Sequence, residues 1–366
     1  MAKVLLKDVV QRIKDKVDKD NTELEYYIGG EHFDYGEICI TKRGVIAGST
    51  IGPAFHMQFK TGDVLLMSRN PHLRKAGVVD FEGICSDVSY VCRTKDENVL
   101  LQRYLPFVFQ TDDFWNFAEQ NKHGSTNFFL NWSDFEKYEF ELPEIEEQKR
   151  LTELLWSAQD TKTAYQELLR QTDELVKSQF IEMFGDVKNN PYAVPFEDAF
   201  VIRDDLRKPL NDSARAEMRT GICYPYYGAN GQVDSINQFL MDNDAICLAE
   251  DCGAYGAGEN SSYIVRGKCW VNNHAHVLFP KQACDIEFAN VYLRILDLTE
   301  FVSGTTRLKL TKAKMKEIPM ILPPENLQKD FTDFVRQTDK SKFELKKAIE
   351  NINVLIKSLM QKDYNN

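Results

Sequence analysis

The chain has 366 residues, 43% of them hydrophobic and 28% charged, and a net charge of −11. That length holds two or three domains with cores of their own, and the composition is globular rather than disordered. No apolar run approaches the roughly 18 residues of a membrane-spanning helix. The charged start MAKVLLKDVVQRIKDK is unlike a signal peptide, so a soluble, cytoplasmic protein is expected.

Residues 1–141 open with the amphipathic piece VLLKDVVQRI and continue with strand-like runs, TGDVLLMSR and GICSDVSYVC, separated by turn residues. Alternation of this kind predicts a mixed domain rich in β-structure. The stretch SRNPHLRK concentrates Ser68, Arg69, Asn70, His72, Arg74 and Lys75. Arginine pairs bidentately with guanine and asparagine with adenine, so under the family resemblance set out below this loop is a candidate for reading DNA bases. A solvated charged loop explains it equally well. Lys122 and His123, ahead of Gly124-Ser125-Thr126, offer phosphate contacts, with Thr126 in the same element.

Residues 142–186 begin with Leu-Pro and then turn helical, as proline tolerates only at a helix start. Leu151, Leu154, Ala158, Tyr165, Leu168 and Leu175, with Val176, recur at alternating spacings of three and four, which predicts a coiled-coil seam. Thr161 and Thr172 interrupt it, so a break in mid-helix is expected, and Gly185 stands where a C-cap belongs.

Residues 187–321 form a second variable segment with the same loose plan: VPFEDAFVIRDDL, then DNDAICLAE, then GKCWVNNHAHVLF. Tyr227, Asn230, Tyr255, Asn272 and His274 are candidate base contacts, though each also reads as a turn or core residue. Thr306, Arg307 and Lys309, followed by Lys312, Lys314 and Lys316, suit phosphate contacts. Residues 322–366 repeat the Leu-Pro start and a helical seam: Phe331, Phe334, Leu345, Ala348, Ile352, Leu355 and Leu359, interrupted by Thr338 and Ser341.

The two helical segments are copies. Gly124–Phe184 overlays Gly304–Tyr364 without a gap, and twelve of the 61 positions are identical. Among them are Leu142/Leu322, Pro143/Pro323, Gln148/Gln328, Thr152/Thr332 and Lys162/Lys342. A constant offset with matched chemistry marks an internal repeat. The segment 141–186 carries 5 basic against 11 acidic residues, and 321–366 carries 8 against 7, which favours pairing of the two helices over self-association. The expected fold class is therefore α+β. Two mixed, β-rich domains are separated by long helices that pair as an antiparallel coiled coil, the halves related by a pseudo-twofold axis.

Eight cysteines without a C-x-x-C pair are expected to be reduced and mostly buried. His274 and His276 beside Cys269 lack a second ligand pair at zinc spacing, so no metal is expected. NNPY at Asn189–Tyr192 lacks the first proline of an adenine-methyltransferase motif. GAYGAG at Gly253–Gly258 precedes a strand-like rather than a helical stretch, so it does not suit a cofactor phosphate. No catalytic residues are assigned.

The duplicated Leu-Pro-x-x-x-x-Gln-Lys start, the Gly-x-Thr element, the long helical pieces and the two unlike modules resemble the specificity subunit of a type I restriction–modification system. YPYYGANG at Tyr224–Gly231 is similar to a stretch common in target-recognition domains of that family. The resemblance covers essentially the whole chain. It implies that residues 1–141 and 187–321 are target-recognition domains, each reading one half of a bipartite, asymmetric site in double-stranded DNA. Residues 142–186 and 322–366 would be helical spacers that dock two copies of a methylation subunit and set the distance between half-sites. S-adenosylmethionine, ATP and Mg would belong to partner subunits of an adenine-specific methyltransferase and ATP-dependent endonuclease, a restriction subunit among them, and this chain would carry no catalysis. The rival readings are a coiled-coil scaffold that reads no DNA and a self-contained DNA methyltransferase.

Overall fold

The computed structural model describes residues 2–187, 190–251, 253–304 and 307–362. Two compact units divide the chain. Residues 1–165 with 347–366 form one, and residues 166–346 form the other.

Unit 1 carries β1 (Ala2–Leu5), β2 (Val10–Ile13), β3 (Tyr26–Ile28), β4 (Gly44–Val45), β5 (Phe55–Phe59), β6 (Val64–Met67), β7 (Ala76–Val78), β8 (Gly83–Ser86), β9 (Ser89–Thr94) and β10 (Glu139–Leu142). Two four-stranded sheets run in the orders β2-β9-β6-β7 and β4-β3-β8-β5, and β1 pairs with β10. Strand β6 explains the layering. Its sequence VLLM is apolar throughout and wholly buried. Alternate residues point to opposite faces of a strand. Val64 and Leu66 enter a core shared with helical residues Phe107, Phe114 and Phe135, while Leu65 and Met67 enter a second core with Ile28, Phe59 and Cys85 of the other sheet. The first sheet is thus covered by helices on one face and by the second sheet on the other.

Unit 2 carries β11 (Ala193–Val194), β12 (Phe200–Ile202), β13 (Tyr224–Gly228), β14 (Gly231–Ile236), β15 (Met241–Asp242), β16 (Ala245–Ala249), β17 (Ser262–Val265), β18 (Lys268–Val271), β19 (Ala275–Pro280) and β20 (Met320–Ile321). Its sheets run β12-β19-β16-β17 and β14-β13-β18-β15, with β11 on β20. That is the order of unit 1, strand for strand. Even the parallel pair recurs, β3 on β8 and β13 on β18. Strand β16 divides its side chains between two cores as β6 does.

The two long helices are Ile145–Phe184 and Glu325–Lys362, and both are continuous. The break expected at the hydroxyl residues does not occur. Thr161, Thr172 and Ser341 each donate to the carbonyl four residues back, and Thr338 to the carbonyl of Val335. A hydroxyl satisfied in this way stays inside a helix. Gly185 caps the first helix with φ +78° and donates its N–H to Ile181.

The helices pair antiparallel within each unit. In unit 2, Phe331 near the start of the second helix packs at ring-centroid distances of 5.6 Å on both Phe180 and Phe184 near the end of the first. Lys342 reaches Asp173 at 3.0 Å. In unit 1, Ile356, Leu359 and Met360 pack on the core that holds Leu151 and Leu155. The seam residues divide. Leu151 and Phe331 are buried. Ala158, Tyr165, Phe334, Leu345, Ala348, Ile352 and Leu359 are half-buried. Leu154, Leu168, Leu175 and Leu355 are 44–50% exposed and lie off the seam. Their neighbours Leu155, Val176 and Ile356 take the inner positions. Polar Gln148, Gln159 and Lys162 also face inward, which an apolar repeat does not reveal. Lys162 is held there by two hydrogen bonds to Glu37.

The repeated Gln has one job in both copies. Gln148 accepts from Leu101 N at 3.1 Å and donates to the carbonyls of Val99 and Pro143, each at 2.8 Å. Gln328 accepts from Asp285 N at 2.9 Å and donates to Ala283 and Pro323 at 2.9 and 2.7 Å. Each amide ties the first turn of a long helix to a loop of its own module.

Replacing Gln148 or Gln328 with alanine strands buried backbone groups at about 1–3 kcal/mol for each. Chemical denaturation is expected to show that loss in the unit concerned, and glutamate in either place is expected to do no better, because its carboxylate would face two carbonyl oxygens. Phe331→Ala is expected to cost about 3–5 kcal/mol, whereas Leu175→Glu stays within about 0.5 kcal/mol of the parent. Equal losses for the two would return Leu175 to the seam.

Candidate nucleic-acid interface

The chain leaves β6 through Ser68-Arg69-Asn70, which pairs with a second segment. Leu130 N donates to Ser68 O at 3.0 Å and Asn70 N to Phe128 O at 2.8 Å. Arg69 and His123 both bridge Phe129. Between His123 and Phe129 the chain reverses at Gly124, where φ is +91° and a Cβ would lie 2.8 Å from Asn127 O. Unit 2 builds the same arrangement after β16. Leu310 N donates to Glu250 O at 2.7 Å, Asp251 and Ser303 both bridge Lys309, and Gly304 turns at φ +102°. The repeated glycine is therefore a requirement of the turn.

The chemistry of the equivalent positions differs. In unit 1, Arg69 is exposed and its guanidinium lies 5.3 Å from the Phe129 ring centroid. In unit 2 the corresponding pair is acidic and already engaged. Glu250 meets Arg207 and, at 3.0 Å, Lys309. Asp251 meets His274 at 2.7 Å and Arg307 at 2.8 Å. Asp204, which bonds buried His276 at 2.9 Å and Arg207 at 3.2 Å, completes the network. His276 Nε2 contacts the Leu310 carbonyl at 2.9 Å, so the network also fixes the loop that follows Lys309.

Burial pushes the Asp204 and Glu250 carboxyls up. Hydrogen bonds and charge outweigh it, from His276 and Arg207 on Asp204 and from Lys309 and Arg207 on Glu250, and hold both below the usual range. The hydrogen bonds of Lys357 and then Arg74 hold Asp112 down likewise.

The structure sorts the predicted contacts. Arg74 is tied to Asp112 at 2.6 Å and Lys75 to the Gly30 carbonyl at 2.6 Å, so both are fastened within the fold rather than offered from it. Ser68 is buried, Asn70 is half-buried and His72 is exposed. Thr126 is exposed on the Gly124 turn, and His123 bonds Asp134 at 2.8 Å. Tyr255 is a core residue rather than a base contact. It is 2% exposed, and its hydroxyl donates to Ala249 O at 3.3 Å as the loop folds back on the sheet. Asn272 is 8% exposed and shapes a turn by accepting from His274 N. Tyr227 packs against Tyr263, and Asn230 is exposed at the β13–β14 turn. His274, Arg307 and Lys309 belong to the ion-pair network, and Thr306 lies outside the described residues. The lysine run forms a short helix, Lys312–Met315, capped by Thr311. Sequence reasoning passed over Phe129, Arg207, Glu250 and Asp251. The signal for the acidic pair was its place after DNDAICLA, where SRN follows DVLLM in unit 1.

Residues 207–354 match the family model of the type I restriction modification DNA specificity domain. That stretch includes nearly all the strands of unit 2. A Haemophilus influenzae protein bearing the name of a type I restriction enzyme specificity subunit is 32% identical over 148 residues, 40% of this chain and 36% of that relative. The aligned stretch thus spans about a third of the relative's length. Two solved structures superpose on the chain, each with a TM-score of 0.58 over 99% of it. One is the S subunit of a type I restriction–modification system from M. genitalium, 15% identical, with 95% of its length covered. The other comes from work on assembly and conformational transition of the type I system, 18% identical, with 97% covered. These likenesses establish the fold, two sheet-rich domains with paired long helices. Among the described residues no helix is long and apolar enough to cross a membrane, and no cluster of three metal-ligating side chains occurs.

Asp204 and Glu250 have depressed folded-state values, so the stability they contribute is present above the ordinary carboxylate range near 4 and is lost as pH falls below that range through the folded-state values. The melting temperature of the chain is expected to drop between pH 6 and 3. Arg207→Ala is expected to lower stability at neutral pH and to shrink that acid-induced drop. An undiminished drop would separate it from the network.

Proposed function

We propose that this chain is the DNA-recognition subunit of a type I restriction–modification complex and carries no catalysis of its own. The observation that supports this best is the shared strand order of the two units, one of which matches the specificity domain. Their loops after β6 and β16 occupy equivalent places with opposite chemistry. Two recognition domains, corresponding to residues 1–141 and 187–321, would each read one half of an asymmetric, bipartite site in double-stranded DNA. Residues 142–186 and 322–366 are proposed as spacers. Because the helical element is duplicated, two copies of a methylation subunit have equivalent places to dock. Those partners would bring S-adenosylmethionine and methylate adenine, and restriction subunits would bring ATP- and Mg-dependent cleavage.

Two features support a division of labour. GAYGAG leads into β17 rather than a helix, so no helix N-terminus stands behind it to hold a cofactor phosphate. A net charge of −11 disfavours DNA binding by the chain alone, since phosphate contacts dominate affinity. Partner subunits would supply the positive charge. The same acidity favours a second reading, a scaffold that reads no DNA, and affinity that appears only with the partners separates the two.

An adenine-methylation map of the host, with and without this gene, is expected to lose one motif of two short halves around a fixed gap. An unchanged map with the partners expressed would sink the reading. Inserting seven residues into both long helices, about 10 Å at 1.5 Å per residue, is expected to lengthen the unread gap, and an unaltered gap would remove the spacer role.

A further inference from the structure

The two non-glycine residues with positive φ among the described residues stand at the ends of one turn. They are Asn70 (φ 51°) and Arg74 (φ 47°), flanking Pro71–Leu73. Side chains rarely adopt this backbone region, and it persists only where surrounding contacts over-determine it. Here they do. Arg74 N–H caps the turn on Pro71 O, its guanidinium is fixed by Asp112, and Lys75 is fixed by Gly30 O. On the other side Ser68 and Asn70 are clamped by Leu130 and Phe128. The loop is braced at both ends, and the cation left outside the bracing is Arg69. It is exposed, lies over the Phe129 ring, and forms no ion pair among the described residues. The aromatic face orients the guanidinium without using up its hydrogen-bond donors. The equivalent position in unit 2 is Asp251, already engaged by His274 and Arg307.

We infer that Arg69 is the specificity-determining residue of unit 1, reading one guanine through its O6 and N7 in the major groove, and that unit 2 has no counterpart at this position. This rests on the recognition role proposed above. A fixed, forked donor on a braced loop suits a base edge, where a bidentate pair discriminates strongly. A phosphate contact has no need of such bracing. The asymmetry implies that a guanine read this way belongs to the half-site of unit 1 alone.

The test uses the full chain assembled with its methylation partners, and duplexes carrying the motif found for the parent complex. Arg69→Ala is expected to relax one guanine position of one half-site, with discrimination there falling about tenfold to a hundredfold, while the other half-site stays intact. Replacing that guanine with 7-deazaguanine, which lacks the N7 acceptor, is expected to weaken the parent complex and to leave Arg69→Ala indifferent. Arg69→Lys keeps the charge and donors without the planar fork and is expected to fall between the parent and Arg69→Ala in discrimination. A melting curve matching the parent's confirms that the variants are folded. Uniform weakening on all sequences, with a shallower salt dependence, would make Arg69 a phosphate contact and overturn the inference. Unchanged discrimination would overturn it too. Neither result touches the wider reading, which falls only if the parent complex methylates no bipartite motif.

Discussion

Each long helix is held to its module by one buried amide. Gln148 and Gln328 each use the acceptor and both donors on backbone groups beside the helix start. The geometry fixes where the helix begins, and hence which of its faces meets the core. From that start Leu151 and Leu155 turn inward in one unit, and Phe331 and Val335 in the other. A different start would carry Leu154 into the core and Leu155 out of it. The Leu-Pro ahead of each Gln contributes the rest, closing the edge strand β10 or β20 and releasing the carbonyl that the amide takes.

Above that fastening the two modules are alike in topology and unlike in surface. Strands β6 and β16 each serve two cores, one on either face, so every residue in them is constrained to be apolar. The loops that follow are under no such constraint. Their backbones are still fixed, by the bridges to Phe129 and Lys309 and by a glycine turn that no other residue suits. The backbone path at these positions is thus set without their side chains, which differ between the units. Unit 1 offers an arginine on an aromatic ring, and unit 2 a carboxylate pair among cationic and histidine partners. One frame thus carries two different surface chemistries.

Charge is distributed with the same logic. In unit 2, Asp204, Arg207, Glu250 and His276 tie the ends of strands β12, β16 and β19 to the loop at Leu310. In unit 1 the corresponding anchoring comes from Arg74, Asp112 and Lys357, which link the loop to the second long helix. One module braces its loop from within and the other from the helix.

The duplicated segment, the α+β class, the paired helices and the type of each module were legible in the sequence, because they depend on local periodicity and on a repeat that needs no partner to be seen. The seam's inner face was not. Gln159 and Lys162 are buried by contacts made elsewhere in the chain, and a count of apolar residues assigns such positions to solvent. Tyr255 and Arg74 were misplaced for the same reason. A tyrosine in a glycine-rich loop and an arginine in a basic loop look available until the fold brings Ala249 and Asp112 beside them. The sequence by itself determined which polar side chains stand in loops at the strand ends. Only the tertiary structure decided which of them remain exposed, because a polar side chain's freedom depends on partners that lie tens of residues away along the chain.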